Sequence, residues 1–456
     1  MRPIPLFAPL VLLWAATCGG DEVDDLVRAR MARDKVPGLT LAVVKGGKVV
    51  RQAGYGVASA ELPAPATVGT VYEIGSITKT FTAMLVMMLV EEGKVKLDES
   101  IAAYVPKLPE AWKAVTVRHL LNHTSGLPIY TSIGDFLSLA REEHTRAEIL
   151  KIVAGRPLEF APGTDLRYNN TGYFVLGMLI EEVTGRSYGE FLKERVTGPL
   201  GMDATRPNNP RGVLPGRARG HGLLLGTVIN RDPLTTSSAF AAGCLVSTVG
   251  DLARYDAALR EGKLLKASSY ELMYEPTKVK GGKVHPYGFG WVTERAEGKR
   301  VLAHDGGTPG FSTALHRHVD DGLTVIVLAN LAEGNAGAIA GAVARRVERP
   351  TAPGPDGDPA ATGRHKALFA RLLGGNVEAA DFTPQMAEFL SAETARRTMK
   401  AIAADGALGA FELSERAADG GTRSIYRAAV GGSTYRVTIH ADGAGKVDGV
   451  LATRED

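Results

Sequence analysis

Short apolar runs open and close the stretch from Val23 to Arg349, and helical spacing dominates between them. Val23 to Ala32 has helix-like spacing. Leu39–Val44 and Val49–Gln52 read as two strands joined by Lys45-Gly46-Gly47-Lys48. Phe81, Met84, Leu85, Met88 and Leu89 fall on one face of a helix that starts near Ser76. Another helix is expected from about Thr171 to Val183 in a largely helical middle third. Val301–His304, Phe311–Val319 and Leu323–Leu328 then read as successive strands, with Asp320-Asp321-Gly322 as the last turn and Ala336–Arg349 as a closing helix. Strands at both ends with helices between are not the alternating rhythm of a doubly wound sheet. The pattern predicts an α/β (α+β) body: an antiparallel sheet whose first and last strands meet, flanked by helices and carrying an inserted helical region.

The run Pro350-Thr351-Ala352-Pro353-Gly354-Pro355-Asp356-Gly357-Asp358-Pro359 holds neither a helix nor a central strand and reads as a linker. The expected division is a body over 21–349, a linker over 350–364 and a small domain over 365–456. Leu368–Leu373 and Met386–Ile402 look helical. Phe411–Arg416, Ser424–Val430, Thr434–Ala441 and Val447–Ala452 look like strands, with Tyr435, Val437 and Ile439 alternating against polar neighbours. Helices followed by a meander make a small α+β module. In its order of elements it is similar to the cystatin/NTF2-like tails behind some bacterial serine hydrolases.

Residues 1–20 differ from the rest. Arg2 precedes an apolar run through Leu10, Val11, Leu12, Leu13 and Trp14, which ends in Ala15, Ala16 and Thr17. This is the form of a secretory leader, too short for the roughly 20 apolar residues of a membrane span. Ala15-Ala16-Thr17-Cys18 resembles a lipoprotein cleavage box, so membrane anchoring through a lipidated Cys18 and plain secretion both remain open. Either way the protein is expected to be exported: periplasmic, anchored or extracellular. Cys244 is the one other cysteine, which excludes a disulfide framework and reads as a buried, inert thiol.

Across 456 residues, 45% are apolar and 23% charged, the balance of a soluble globular chain. A net charge of +3 without a basic stripe gives no reason to expect nucleic acid.

Three segments carry chemistry. In Gly75-Ser76-Ile77-Thr78-Lys79-Thr80-Phe81-Thr82-Ala83, serine and lysine three residues apart on a helix share a face, about 5–6 Å apart at Cβ. A neutral amine there can take the hydroxyl proton, and a helix start favours a developing oxyanion. Ser76 reads equally as an N-cap. Tyr168-Asn169-Asn170 lies in a turn before a helix. A phenol beside a cationic lysine is favoured as phenolate, below its usual pKa of about 10. Asn170 can bond the lysine or a substrate amide, although a half-buried loop tyrosine with a capping asparagine fits as well. In His304-Asp305-Gly306-Gly307-Thr308-Pro309-Gly310-Phe311-Ser312, the glycines let a substrate lie along a strand edge, and Gly307 can pair its N–H with that of Ser76 as an oxyanion hole. The plain alternative is a glycine-rich hairpin with an exposed histidine.

In this order the three segments resemble the S-x-x-K, Y-x-N and K-T-G motifs of the serine β-lactamase and penicillin-binding protein superfamily. The resemblance is nearest to the class C-like branch, which holds class C β-lactamases, D-alanyl-D-alanine carboxypeptidases, D-aminopeptidases and family VIII esterases. Thr116-Val117-Arg118-His119-Leu120-Leu121-Asn122-His123-Thr124-Ser125-Gly126-Leu127-Pro128 and Tyr287-Gly288-Phe289-Gly290-Trp291 fit the same branch. The resemblance spans roughly Val23 to Glu348. It implies Ser76 as the acylated nucleophile and Lys79 with Tyr168 as shared general base. Asn170, His304, Gly306 and Gly307 would hold a small-molecule or peptide substrate. It implies no metal and no organic cofactor, and is silent on oligomeric state. The departure is His304, where class C β-lactamases carry lysine. A histidine is mostly neutral near pH 7, which favours esterase or D-amino-acid peptidase chemistry over antibiotic hydrolysis. A true β-lactamase, or a non-hydrolytic binder of penicillin or cell-wall peptides, is the alternative.

His316-Arg317-His318-Val319-Asp320-Asp321 mimics the start of a zinc motif, but Asp321 replaces its last histidine and no further ligands are evident. Lys45-Gly46-Gly47 and Lys280-Gly281-Gly282 mimic K-x-G yet look like hairpin turns. No G-x-S-x-G occurs, so a nucleophile elbow is unsupported.

Overall fold

The computed structural model describes residues 22–348 and 358–454, apart from 63, 135, 297 and 419–421. The leader, Cys18 and most of the Pro350–Pro359 run lie outside the described residues.

Six strands form the central antiparallel sheet: β1 (Gly38–Lys45), β2 (Lys48–Gly56), β3 (Val292–Ala296), β4 (Lys299–Thr308), β5 (Phe311–His318) and β6 (Leu323–Ala329). Their order across the sheet is β3-β4-β5-β6-β1-β2. The first strand therefore lies against the last, Leu39 opposite Ala329 through Lys45 opposite Leu323, as the sequence pattern predicts. Gly46 and Gly47 close the first hairpin with φ of 57° and 78°, the paired positive values that a two-residue turn requires. β3 is an addition to the expected strands.

α1 (Glu22–Asp34) and α4 (Ala336–Glu348) pack on one face of this sheet, and α2 (Thr78–Glu91) and α3 (Asn170–Thr184) belong to the helical region on the other. The sheet is covered on both faces, which explains the unbroken apolar runs of β1 and β6. Leu39, Leu41, Val43, Val325 and Val327 share a core with Val27 of α1 and Ile339 and Val343 of α4. Ala42, Val44, Ile326 and Leu328 point the other way and join the larger core of the helical region. α2 runs through that larger core with every residue from Thr78 to Leu89 buried. A helix so enclosed is a rigid base for whatever its first turn carries.

Beyond the undescribed stretch, α5 (Pro359–Leu373) begins with Pro359 in its first turn and the Asp358 side chain accepting from Ala361 N. The helix thus starts inside the span 350–364 expected to be linker, because a proline that breaks a helix interior suits its start. The expected helix Met386–Ile402 is two helices, Pro384–Ser391 and Glu393–Ala403, broken by an extended Ala392. Four strands, Leu408–Ala418, Thr422–Val430, Ser433–Ala441 and Val447–Arg454, complete an antiparallel meander. Tyr435, Val437 and Ile439 turn inward onto Phe369 and Leu372 of α5.

Candidate active site

Ser76 sits in a single 3₁₀ turn, Gly75–Ile77, that leads straight into α2. Gly75 has φ of 50°, and a Cβ at that position would lie 2.8 Å from Gly307 N. A Cβ on Gly306 would meet Ile74 O at 2.0 Å. Glycines on both sides of this seam let the serine turn lie against the end of β4. Where Gly307 would bear a side chain there is open space, room for a substrate along the strand edge.

Lys79 is fully buried, with Nζ 3.0 Å from Ser76 Oγ and 2.8 Å from Ala242 O, to which it donates. Burial pulls its pKa well below the ordinary lysine value, which favours a neutral amine able to accept a proton. The Ala242 carbonyl follows a kink at Phe240, whose φ of 36° and ψ of −142° are costly for a non-glycine residue.

Tyr168 is 39% exposed as a residue, but its phenol stands among the groups around Ser76 and is largely removed from water. Lys79 Nζ lies 4.7 Å from the centre of its ring. Burial pushes the phenol pKa well above its usual value. The sequence-based expectation of a phenolate beside a cationic lysine is therefore corrected. Both groups are shifted toward their neutral forms for the same reason, removal from water.

Asn169, rather than Asn170, caps α3: its side chain accepts from Gly172 N at 2.9 Å and donates to Leu127 O. Asn170 is the first helical residue and donates from Nδ2 to Thr131 Oγ1 at 3.0 Å. Among the described contacts Lys79 is bonded to Ser76 and Ala242, and the expected link from Asn170 to the lysine is absent.

His304 is buried, not the exposed histidine of a plain hairpin. Nδ1 is 2.7 Å from Asp305 O, so Nδ1 carries the proton, and Nε2 accepts from the Tyr287 hydroxyl at 3.0 Å. Burial pushes its pKa down to about 4, which favours a neutral imidazole.

Three further residues surround these groups without having been singled out from the sequence. His123 lies with its ring centre 4.4 Å from that of Tyr168 and 4.6 Å from that of Tyr287. Both His123 and Tyr287 belong to the two ancillary segments of the family resemblance, and that was the signal available for them. Glu73 is buried three residues before Ser76, where Asn208 Nδ2 donates to its Oε1 at 3.1 Å and burial pushes its pKa up to about 7. Nothing in the sequence marks it.

The zinc-like run disperses in part. His316 Nε2 meets Asp305 Oδ1 at 2.7 Å, and Arg317 is buried against Asp256. His318 and Asp321 do converge with Glu348 of α4, their ligand atoms within 4.8 Å, a third member the sequence does not connect. Lys299 pairs with Asp321 at 2.6 Å there, and His318 Nδ1 is 3.2 Å from Glu348 Oε1. Lys45-Gly46-Gly47 and Lys280-Gly281-Gly282 lie at hairpin turns. Cys244 is buried, its thiol pushed up to about 12. Among the described residues no helix is long and apolar enough to cross a membrane.

The model of the Beta-lactamase family matches residues 23–349. Penicillin-binding protein 4* of Bacillus subtilis is 31% identical over 312 residues, 64% of this chain and 68% of that protein. An octameric penicillin-binding protein homologue from Pyrococcus abyssi superposes with a TM-score of 0.62 at 27% identity, covering 91% of this chain and 89% of its own. The D-amino acid amidase from Ochrobactrum anthropi SV3, solved with D-phenylalanine, gives 0.61 at 27% identity over 72% of this chain and 97% of its own. With a serine, a buried lysine and a tyrosine gathered at the start of one helix, the chain belongs to the Beta-lactamase family of serine hydrolases and penicillin-binding proteins.

Proposed function

We propose that the protein forms an acyl-enzyme on Ser76 and acts on esters and D-amino-acid amides or peptides in preference to β-lactams. The observation that carries this reading is that both ring nitrogens of His304 are taken up, by Asp305 O and the Tyr287 hydroxyl, beside a lysine–serine pair 3.0 Å apart. A β-lactam carboxylate gains most from a cationic donor. His304 offers none, since its one N–H is already given to Asp305 O and its other nitrogen accepts from Tyr287. Esters, amides and those peptides that carry no carboxylate next to the scissile bond do not need that cation. The likeness to a D-amino acid amidase supports the same substrate class.

In the proposed reaction Ser76 Oγ attacks the carbonyl carbon while its proton passes to Lys79 Nζ. The oxyanion is held by the amides of Ser76 and Gly307. Tyr168, its ring centre 4.7 Å from Lys79 Nζ, conducts the proton on to the departing alcohol or amine as the acyl bond to serine forms. Water then attacks the acyl carbonyl, the same groups accept its proton, and the acid leaves. The leader-like opening supports action outside the cytoplasm, and fractionation of wild type and Cys18→Ala would separate anchored from freely secreted protein.

The test compares a short-chain p-nitrophenyl ester, D-phenylalanine amide, a D-alanyl-D-alanine peptide and a chromogenic cephalosporin, with wild type and Ser76→Ala. Ester or amide cleavage should exceed lactam cleavage, and all should vanish in the variant. Faster lactam turnover would make the protein a β-lactamase. Stoichiometric labelling by penicillin with no turnover of any substrate would make it a binder.

A further inference from the structure

We infer that His123 is a positioning residue for the Tyr168 phenol, its side chain and its backbone together gripping the residues on either side of that tyrosine. The inference rests on the acyl-enzyme reading above, in which Tyr168 moves a proton.

His123 O accepts from Arg167 N at 3.0 Å, and His123 Nδ1 accepts from Asn169 N at 3.1 Å. Tyr168 is the one residue between these two anchors. Because Nδ1 accepts, the imidazole carries its proton on Nε2, and that atom is buried without a hydrogen-bond partner. A buried N–H left unmet is destabilising, because it gives up its bond to water for nothing in return. The backbone adds to the cost, with φ of 62°, the left-handed region that favours glycine and asparagine. A residue chosen only to fill this space would be apolar. Histidine supplies what an apolar residue lacks, an acceptor at Nδ1 on a flat ring.

The ring contacts show what is gained. His123 lies among Tyr168, Tyr173 and Tyr287, with centres 4.4, 5.1 and 4.6 Å away. Tyr287 in turn bonds His304, so one imidazole touches both the phenol beside Ser76 and the support of His304. Tyr168 needs such a grip. It stands in the loop before α3 and is 39% exposed, so its own burial does not fix its rotamer. Neutrality suits the role in a site where no water solvates a cation, and burial holds the His123 pKa well below the usual histidine value.

The test uses two substitutions that both tolerate the left-handed backbone. His123→Gly removes the acceptor and the ring, whereas His123→Asn restores an oxygen near the position of Nδ1. Ser76-dependent ester hydrolysis is measured, with the Ser76→Ala rate subtracted. A misplacement of the phenol should lower kcat by about 100-fold in His123→Gly while KM stays within about threefold, and His123→Asn should regain about tenfold. The decisive readout is a double-mutant cycle: in a Tyr168→Phe background His123→Gly should cost less than about threefold, because the group it positions is gone. The same loss in both backgrounds, or asparagine no better than glycine, would overturn the inference. If the glycine variant does not fold, the cycle is run with His123→Asn, whose smaller loss must likewise vanish in the Tyr168→Phe background, where the ring bears no hydroxyl. Activity that survives Ser76→Ala would instead sink the acyl-enzyme reading, a distinct result.

Discussion

The Tyr287 hydroxyl donates to His304 Nε2 at 3.0 Å, so the side chain that the motif resemblance sets in place of a class C lysine is held as an acceptor. With a pKa of about 4 it stays neutral through the physiological range. His304→Lys would place a cationic donor at this spot, where a charge-assisted bond is worth about 1.5–3 kcal/mol. The expected result is a rise of about tenfold or more in kcat/KM for a cephalosporin carrying a free carboxylate. Ester hydrolysis should be unchanged or lower. Steady-state kinetics on both substrates check this, and equal effects on the two would count against a carboxylate-sensing position.

Lys79 is expected to govern both the acid limb of the rate and a share of the instability. Only the neutral amine accepts the Ser76 proton, so kcat/KM should rise with pH through the depressed lysine pKa and hold above it. Stability has the same sign. Between the folded pKa and the unfolded value of about 10.4, the unfolded chain binds a proton that the folded one does not, so stability rises with pH. Lys79→Met should therefore lose activity by about 100- to 10,000-fold. It should also melt higher at pH 7, by about 2–4 °C for each kcal/mol recovered. That advantage must shrink as pH approaches 10; a methionine variant no more stable at pH 7 would contradict a buried, uncharged lysine.

Gly75→Ala tests the seam between the serine turn and β4. Its Cβ would press on Gly307 N at 2.8 Å and Gly307 O at 2.9 Å from a backbone with φ of 50°. The strand edge must give way, and with it one donor of the proposed oxyanion hole. Loss of such a donor costs about 100- to 1,000-fold in kcat. KM should change little, and affinity for a boronic acid that mimics the tetrahedral intermediate should fall in parallel with kcat.

Much of this arrangement was legible because its signals are local. Ser76 and Lys79 are one helical turn apart, and β1 and β6 are apolar on both faces because both faces are covered. β3 was not legible: Val292-Thr293-Glu294-Arg295-Ala296 is an edge strand with three exposed residues and no alternation. The break between the two helices near Ala392 has neither glycine nor proline to announce it. The charge states of Lys79 and Tyr168 depend on desolvation by residues far along the chain, which local spacing does not reveal. His123 reaches the residues on either side of Tyr168 by bonds across more than forty residues, visible only once the loop before α3 is folded.

Arg317, embedded in the zinc-like run, yields the last prediction. Its Nε donates to Asp256 Oδ1 at 2.7 Å, Thr324 Oγ1 donates to the same oxygen at 2.9 Å, and Arg260 Nη2 reaches Asp256 Oδ2 at 3.2 Å. Asp256 is wholly buried and Arg317 nearly so. Removing one charge strands the other away from water, at a cost of about 3–5 kcal/mol, whereas exchanging both for apolar residues of similar volume is often neutral. Asp256→Ala should therefore lower the urea midpoint sharply. Asp256→Leu combined with Arg317→Met should recover most of that loss, even though it removes more hydrogen bonds. A double variant as unstable as Asp256→Ala would show instead that the pair itself, rather than the avoidance of a lone buried charge, holds this part of the sheet.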